Sequence, residues 1–229
     1  MKSHFYVTGT SFVLLISAIF IACGDDKKNN GSDSPKEAVE PAEPKSIAET
    51  VTFINSLPKP LSLADFVKAL PQPLNVAATD STSSLQPANM PGSPRIFIVT
   101  NKTGRPVILS IVPGKNDLEI GEVDFDGNIV VANITFPVTA TLSDKAPYQA
   151  MPSCTGSSSC HDFVSSVDLG GGVFKSTVSS NIPSDIGNIS VSTLTDLNTN
   201  CKDSTDRCKT LNALFRKPAM QYWFPSTFK

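Results

Sequence analysis

Two thiols and an imidazole fall within eight residues at Cys154-Thr155-Gly156-Ser157-Ser158-Ser159-Cys160-His161. A cysteine pair followed at once by histidine is the arrangement of covalent haem attachment, where two thioethers hold the macrocycle and the imidazole ligates iron. That chemistry ordinarily has two residues between the thiols, whereas five separate Cys154 from Cys160, so the pair reads first as a disulfide. In the alternative reading, Cys154 and Cys160 are the haem-attachment residues and His161 is the axial ligand. Met151 and Met220 are the methionines that could face such an iron, although methionine in a small domain usually serves packing.

The chain has five cysteines. With Cys23 set aside for the reason given below, four remain as local pairs, Cys154 with Cys160 and Cys201 with Cys208. An even remainder in an exported chain implies disulfides. Four cysteines allow three connectivities; neighbour pairing is the simplest, each bridge closing a short loop and contributing roughly 2–3 kcal/mol. Cys208 shares an apolar helical face with Leu211, Leu214 and Phe215, and Cys201 precedes a cap at Asp203 or Ser204. This bridge would tie the first turn of a C-terminal helix to the loop before it.

Other chemistry is thin. Once His4 is lost with the signal segment described below, His161 is the sole histidine, so neither a two-histidine metal site nor a histidine network can form. A hydrolase built around His161 ranks last, because no Gly-x-Ser-x-Gly elbow accompanies it. Asp124, Asp126 and Asn128 alternate like the start of a calcium loop, but glycine falls at the fourth position and no glutamate closes it. Gly170-Gly171-Gly172 lacks the Lys-Ser/Thr of a phosphate loop and reads as a turn. No catalytic residues and no resident metal are assigned.

The N-terminal segment fixes where such a chain would reside. Lys2 and His4 form a weakly basic start, Phe12 to Ile21 is an apolar run, and Ala22 is a small residue before Cys23. The run is shorter than the roughly 20 apolar residues of a stable span. Phe20-Ile21-Ala22-Cys23 resembles the bacterial lipobox, with Phe20 and Ile21 in place of the usual leucine and small residue. The resemblance implies cleavage after residue 22, acylation of Cys23, and anchoring in the bacterial envelope on the non-cytoplasmic side, at the periplasm or cell surface. The partner so implied is the lipid bilayer. Residues 23–46, beginning Gly24-Asp25-Asp26-Lys27-Lys28-Asn29-Asn30 after the cysteine, bury too little apolar area to order themselves and read as a tether.

The rest, residues 47–229, is one β-rich domain by length and pattern. With 19 basic and 21 acidic residues and a net charge of -2, the chain has no electrostatic footprint for nucleic acid. Helices are expected near Ala48–Leu57 and Leu61–Leu70, the second capped by Ser62, with Pro58, Pro60, Pro71 and Pro73 punctuating both. Strands are expected at Arg95–Thr100, Pro106–Val112, Leu118–Phe125 and Ile129–Phe136, then near Phe163–Val167 and Val173–Val178. Asn101-Lys102-Thr103-Gly104 joins the first two. Asp126-Gly127 suits a two-residue hairpin turn, which would set Val123 opposite Val130 on one apolar face. Tyr222, Trp223, Phe224 and Phe228 are expected as core or edge-strand residues. The fold class is therefore mainly β, an antiparallel meander or sandwich with short N-terminal helices and one C-terminal helix.

Leu57-Pro58-Lys59-Pro60-Leu61-Ser62-Leu63, Gln86-Pro87-Ala88 with Ser93 to Ile98, Phe136-Pro137-Val138, Ala146-Pro147-Tyr148 and the Cys201–Phe215 stretch together resemble a poorly characterised group of exported bacterial proteins. Members of that group carry Cys-x-x-Cys-His after the Ala-Pro-Tyr element and are sometimes labelled cytochrome-c-like. The resemblance implies Cys154, Cys160 and His161 as counterparts of that motif, with a second pair as a disulfide. The combined expectation is a lipid-anchored domain with a binding or envelope-structural role and no cofactor. Its alternative is an electron-transfer protein carrying covalent haem c.

Overall fold

The computed structural model describes residues 42–80, 93–123, 129–149, 163–170, 173–178 and 189–224. The readings at Cys23, Met151, Cys154, Cys160, His161 and Phe228 lie outside the described residues.

The first helix, α1 (Ile47–Ser56), begins where Ser46 accepts the Glu49 N–H at 3.0 Å, and it turns Ile47, Val51, Phe53 and Ile54 inward. A second acceptor comes from across the fold: the Glu122 carboxylate takes the Ile47 N–H at 2.7 Å. Helix α2 (Leu63–Ala69) is capped by Ser62, as expected, and buries Leu63, Phe66 and Val67. It starts two residues late because Leu61 is held by mutual backbone hydrogen bonds of 2.9 Å with Val138.

Among the described residues eight strands make one sheet: β1 (Asn75–Asp80), β2 (Pro94–Thr100), β3 (Val107–Ile111), β4 (Asp117–Val123), β5 (Ile129–Thr135), β6 (Phe163–Asp168), β7 (Phe174–Val178) and β8 (Met220–Gln221). Their order is β6-β7-β5-β4-β3-β2-β1-β8. Strands β1 to β5 run as a meander, and every pairing is antiparallel except β1 with β8. The fold is thus mainly β, an antiparallel meander with short N-terminal helices and a C-terminal helix, α5 (Asp206–Leu214). Two further helices, α3 (Ala146–Gln149) and α4 (Val191–Thr199), lie before it. No helix among the described residues is long and apolar enough to cross a membrane.

The helices cover one face of the sheet. Ile96, Ile98, Leu109, Ile111, Leu118, Ile120, Val130 and Ala132 join Ile54, Phe66, Leu194, Leu211 and Leu214 in the main core. The other face carries a smaller cluster of Ala77, Phe97 and Ile108 against Phe224. All five residues of β3 are buried, and four of them are apolar because both faces of the strand are covered; the exception, Ser110, is a buried polar residue.

The β4–β5 register corrects the expected pairing of Val123 with Val130. Val123 pairs with Ile129 and Glu122 with Val130, so Val123 does not stand opposite Val130; Asp126 and Gly127 themselves lie outside the described residues. Slipping by one residue exchanges the faces of a strand. Val130 therefore enters the main core opposite Glu122, while Val123 falls on the other face. The slip is what brings Glu122 to the helical side, where it meets the α1 N-terminus, a place where a negative charge is favoured.

Burial pushes the Tyr148 phenol above its ordinary range, and the Glu122 charge adds to that. Glu122→Ala is expected to leave the Ile47 N–H without its acceptor and to lower stability by about 1–2 kcal/mol in urea titration. The same variant should bring the Tyr148 phenol back toward its ordinary range in an alkaline absorbance titration, leaving only the part due to burial. Unchanged stability and an unchanged tyrosine titration would refute this account.

Candidate functional site

A cleft of about 700 Å³ opens between α2 and α5. Its lining includes Leu63, Ala64, Phe136 and Ala213, with Asn116 from the β3–β4 connection and Asn212 from α5. The two helices are held side by side by Phe66, Leu211 and Leu214, all fully buried, so the walls of the cleft are set by the core beneath it.

Charge is unevenly committed around the rim. Asp65 accepts the Ser62 hydroxyl at 2.6 Å while its own N–H is capped by that serine. Asp206 is paired with Lys209 at 3.1 Å. Lys68 and Arg216 are exposed, and among the described residues neither has a carboxylate partner. The cleft therefore offers two uncommitted cations and two side-chain amides over an apolar floor, a surface suited to an anionic or amide-bearing ligand. Sequence reasoning missed it. Asp206 with Lys209 is visible as an i,i+3 surface pair, but nothing local says that the two helices meet.

Of the cysteines singled out from sequence, Cys201 and Cys208 are bonded to each other, with Cα atoms 5.2 Å apart. Cys208 is buried in α5 and Cys201 stands before it, so the bridge ties the helix to the preceding turn. The cap itself is Thr205, not Asp203 or Ser204; its side chain accepts the Cys208 N–H. Asp203 in turn accepts the Thr205 hydroxyl and N–H, and these bonds hold its carboxyl below the usual carboxylate range. Asp203 also lies near both sulfurs. With those sulfurs bonded together and the carboxylate occupied by Thr205, the group is a structural turn rather than a metal site.

Cys154, Cys160 and His161 fall between α3, which ends at Gln149, and β6, which begins at Phe163. Strand β6 is one edge of the sheet, and Met220 lies in β8 at the other, seven strand spacings away. The structure does not bring Met220 to the β6 edge.

A second polar group lies on the sheet. The Arg95 guanidinium donates to the Ser110 hydroxyl at 2.9 Å and stands 3.7 Å from Glu119. Burial pushes Arg95 below its ordinary range and Glu119 offsets part of that, the behaviour of a structural ion pair.

No family model, curated protein or solved structure matches the chain.

Proposed function

We propose that the chain is an exported bacterial envelope lipoprotein, acylated on Cys23, whose disulfide-stabilised β-rich domain has a binding role. The observation that carries this reading is the Cys201–Cys208 bond, since structural disulfides persist in oxidising compartments outside the cytoplasm. The Phe20-Ile21-Ala22-Cys23 junction supports the same location. The cleft between α2 and α5, with Lys68 and Arg216 uncommitted, supports binding of an anionic ligand over catalysis.

A second reading, covalent haem, keeps one supporting observation. Because Cys201 and Cys208 are used by each other, Cys154 and Cys160 remain together beside His161. They are then free either to bridge or to take thioether bonds.

One experiment separates these. The full chain is expressed in a bacterium with lipoprotein processing and c-type haem maturation, and the membrane-extracted protein is measured by intact mass and visible spectroscopy. The expected product starts at Cys23, carries acyl mass, has no haem and titrates no free thiols when denatured. A Soret band surviving denaturation, with haem mass added, would replace the binding role by electron transfer. A product without acyl mass would sink the lipoprotein reading itself.

A further inference from the structure

We propose that the β8 edge of the domain docks onto the surface of an anionic lipid bilayer, an inference that rests on the lipid-anchored reading above. Trp223 is 71% exposed and Met220 is 48% exposed. They belong to one short segment. Tyr222 and Phe224 pack ring to ring at 5.2 Å, and Phe224 meets Phe97 at 6.2 Å on the second face of the sheet. In an extended chain alternate side chains point to opposite sides, so seating residues 222 and 224 turns Trp223 outward. The Tyr222 N–H bonds to the Val76 carbonyl at 2.7 Å, which holds the segment against β1. An indole presented to water on a held strand is the kind of amphipathic group that settles at the headgroup level of a bilayer.

The charges along the same edge suit the same occupant. Lys217 lies three residues before Met220, and Lys102 bonds to Asn75, the residue opposite Met220, at 3.3 Å. Both lysines are exposed, and among the described residues neither has a carboxylate partner. Paired with anionic headgroups, such lysines strengthen the hold of an interfacial aromatic residue.

The route of the tether supplies the third argument. The Thr100 hydroxyl donates to the Pro44 carbonyl at 2.7 Å, so the chain arriving from Cys23 joins the domain two residues from Lys102. Cys23 stands 21 residues before Pro44 in the sequence. Acyl chains on Cys23 would therefore keep this edge near the bilayer, where a weak contact is made effectively intramolecular.

Trp223 is the single tryptophan of the chain, so its fluorescence reports the contact without a label. The membrane-extracted product of the full chain, its acyl mass measured, is reconstituted into vesicles of phosphatidylglycerol with brominated phosphatidylcholine, and separately into brominated phosphatidylcholine alone, then floated. On anionic vesicles Trp223 emission should shift to the blue and be quenched roughly twofold. Zwitterionic vesicles, high salt, or the Lys102→Glu/Lys217→Glu variant should each abolish the quenching while the protein still floats. Protein that floats with Trp223 unquenched overturns docking and leaves the anchor standing. Equal quenching on zwitterionic vesicles, or in the charge-reversed variant with an unchanged circular dichroism spectrum, also overturns it. Protein that floats only on anionic vesicles, quenched but without acyl mass, supports docking and removes the anchor. Protein that floats on neither overturns both.

Discussion

Phe66→Ala is expected to lower the stability of the domain by about 3–5 kcal/mol, the cost of emptying a large aromatic side chain from a packed core. Phe66 is completely buried and meets two other rings, Phe53 at 6.0 Å edge-on and Phe136 at 5.7 Å. Those partners come from α1 and from the residue that follows β5, so one ring joins both N-terminal helices to the sheet. For a domain of this size the loss corresponds to a drop in Tm of about 10 °C or more. Phe66→Leu, which keeps most of the volume, should cost roughly 1–1.5 kcal/mol. Both are read from urea midpoints at constant slope. Equal and small effects for the two variants would mean that α2 is not seated on the sheet through this ring. The same result would undercut the cleft, whose near wall is α2.

The second large effect belongs to the disulfide. A bridge at a sequence separation of 7 closes a short loop in the unfolded chain, and the loop-entropy relation assigns it about 2.5 kcal/mol. Cys201→Ala/Cys208→Ala should lose that amount; alanine is chosen because serine at the buried Cys208 would add an unsatisfied hydroxyl. Titration of thiols in the denatured, unreduced wild type should find neither cysteine free. Dithiothreitol should destabilise the wild type further than the double variant. Any effect of the reductant that remains in the variant then measures a Cys154–Cys160 bridge, the pairing expected from sequence. If the double variant unfolds at the wild-type urea concentration, the bridge does not hold the start of α5.

Short-range features were legible because short-range physics makes them. Strands β2 to β7 fall close to where β-branched runs stood between turn residues. Ser62 caps α2 through a contact three residues away, and Cys201 finds Cys208 one turn into the next helix. Strand β1 was missed for the opposite reason. Its Asn75-Val76-Ala77-Ala78-Thr79-Asp80 sequence has little strand propensity, and it is a strand because β2 and β8 pair with it on either side. Helix α4 was missed because Ser192, Thr193, Thr195, Asn198 and Thr199 favour caps and turns, and only Leu194 is buried. Trp223 was read with its aromatic neighbours as core or edge; it belongs to the edge segment but turns away from the core.

By itself, then, the sequence determined the mainly β class, most strand positions, the Ser62 cap and the Cys201–Cys208 pairing, because each depends on residues within a few positions of one another. The tertiary structure alone decided the one-residue register that sends Glu122 to α1, the pairing of β1 with β8, the meeting of α2 with α5, and the outward face of Trp223. Those depend on which distant surfaces bury each other, and a hydrophobic pattern read along the chain records that a face must be covered without recording by what.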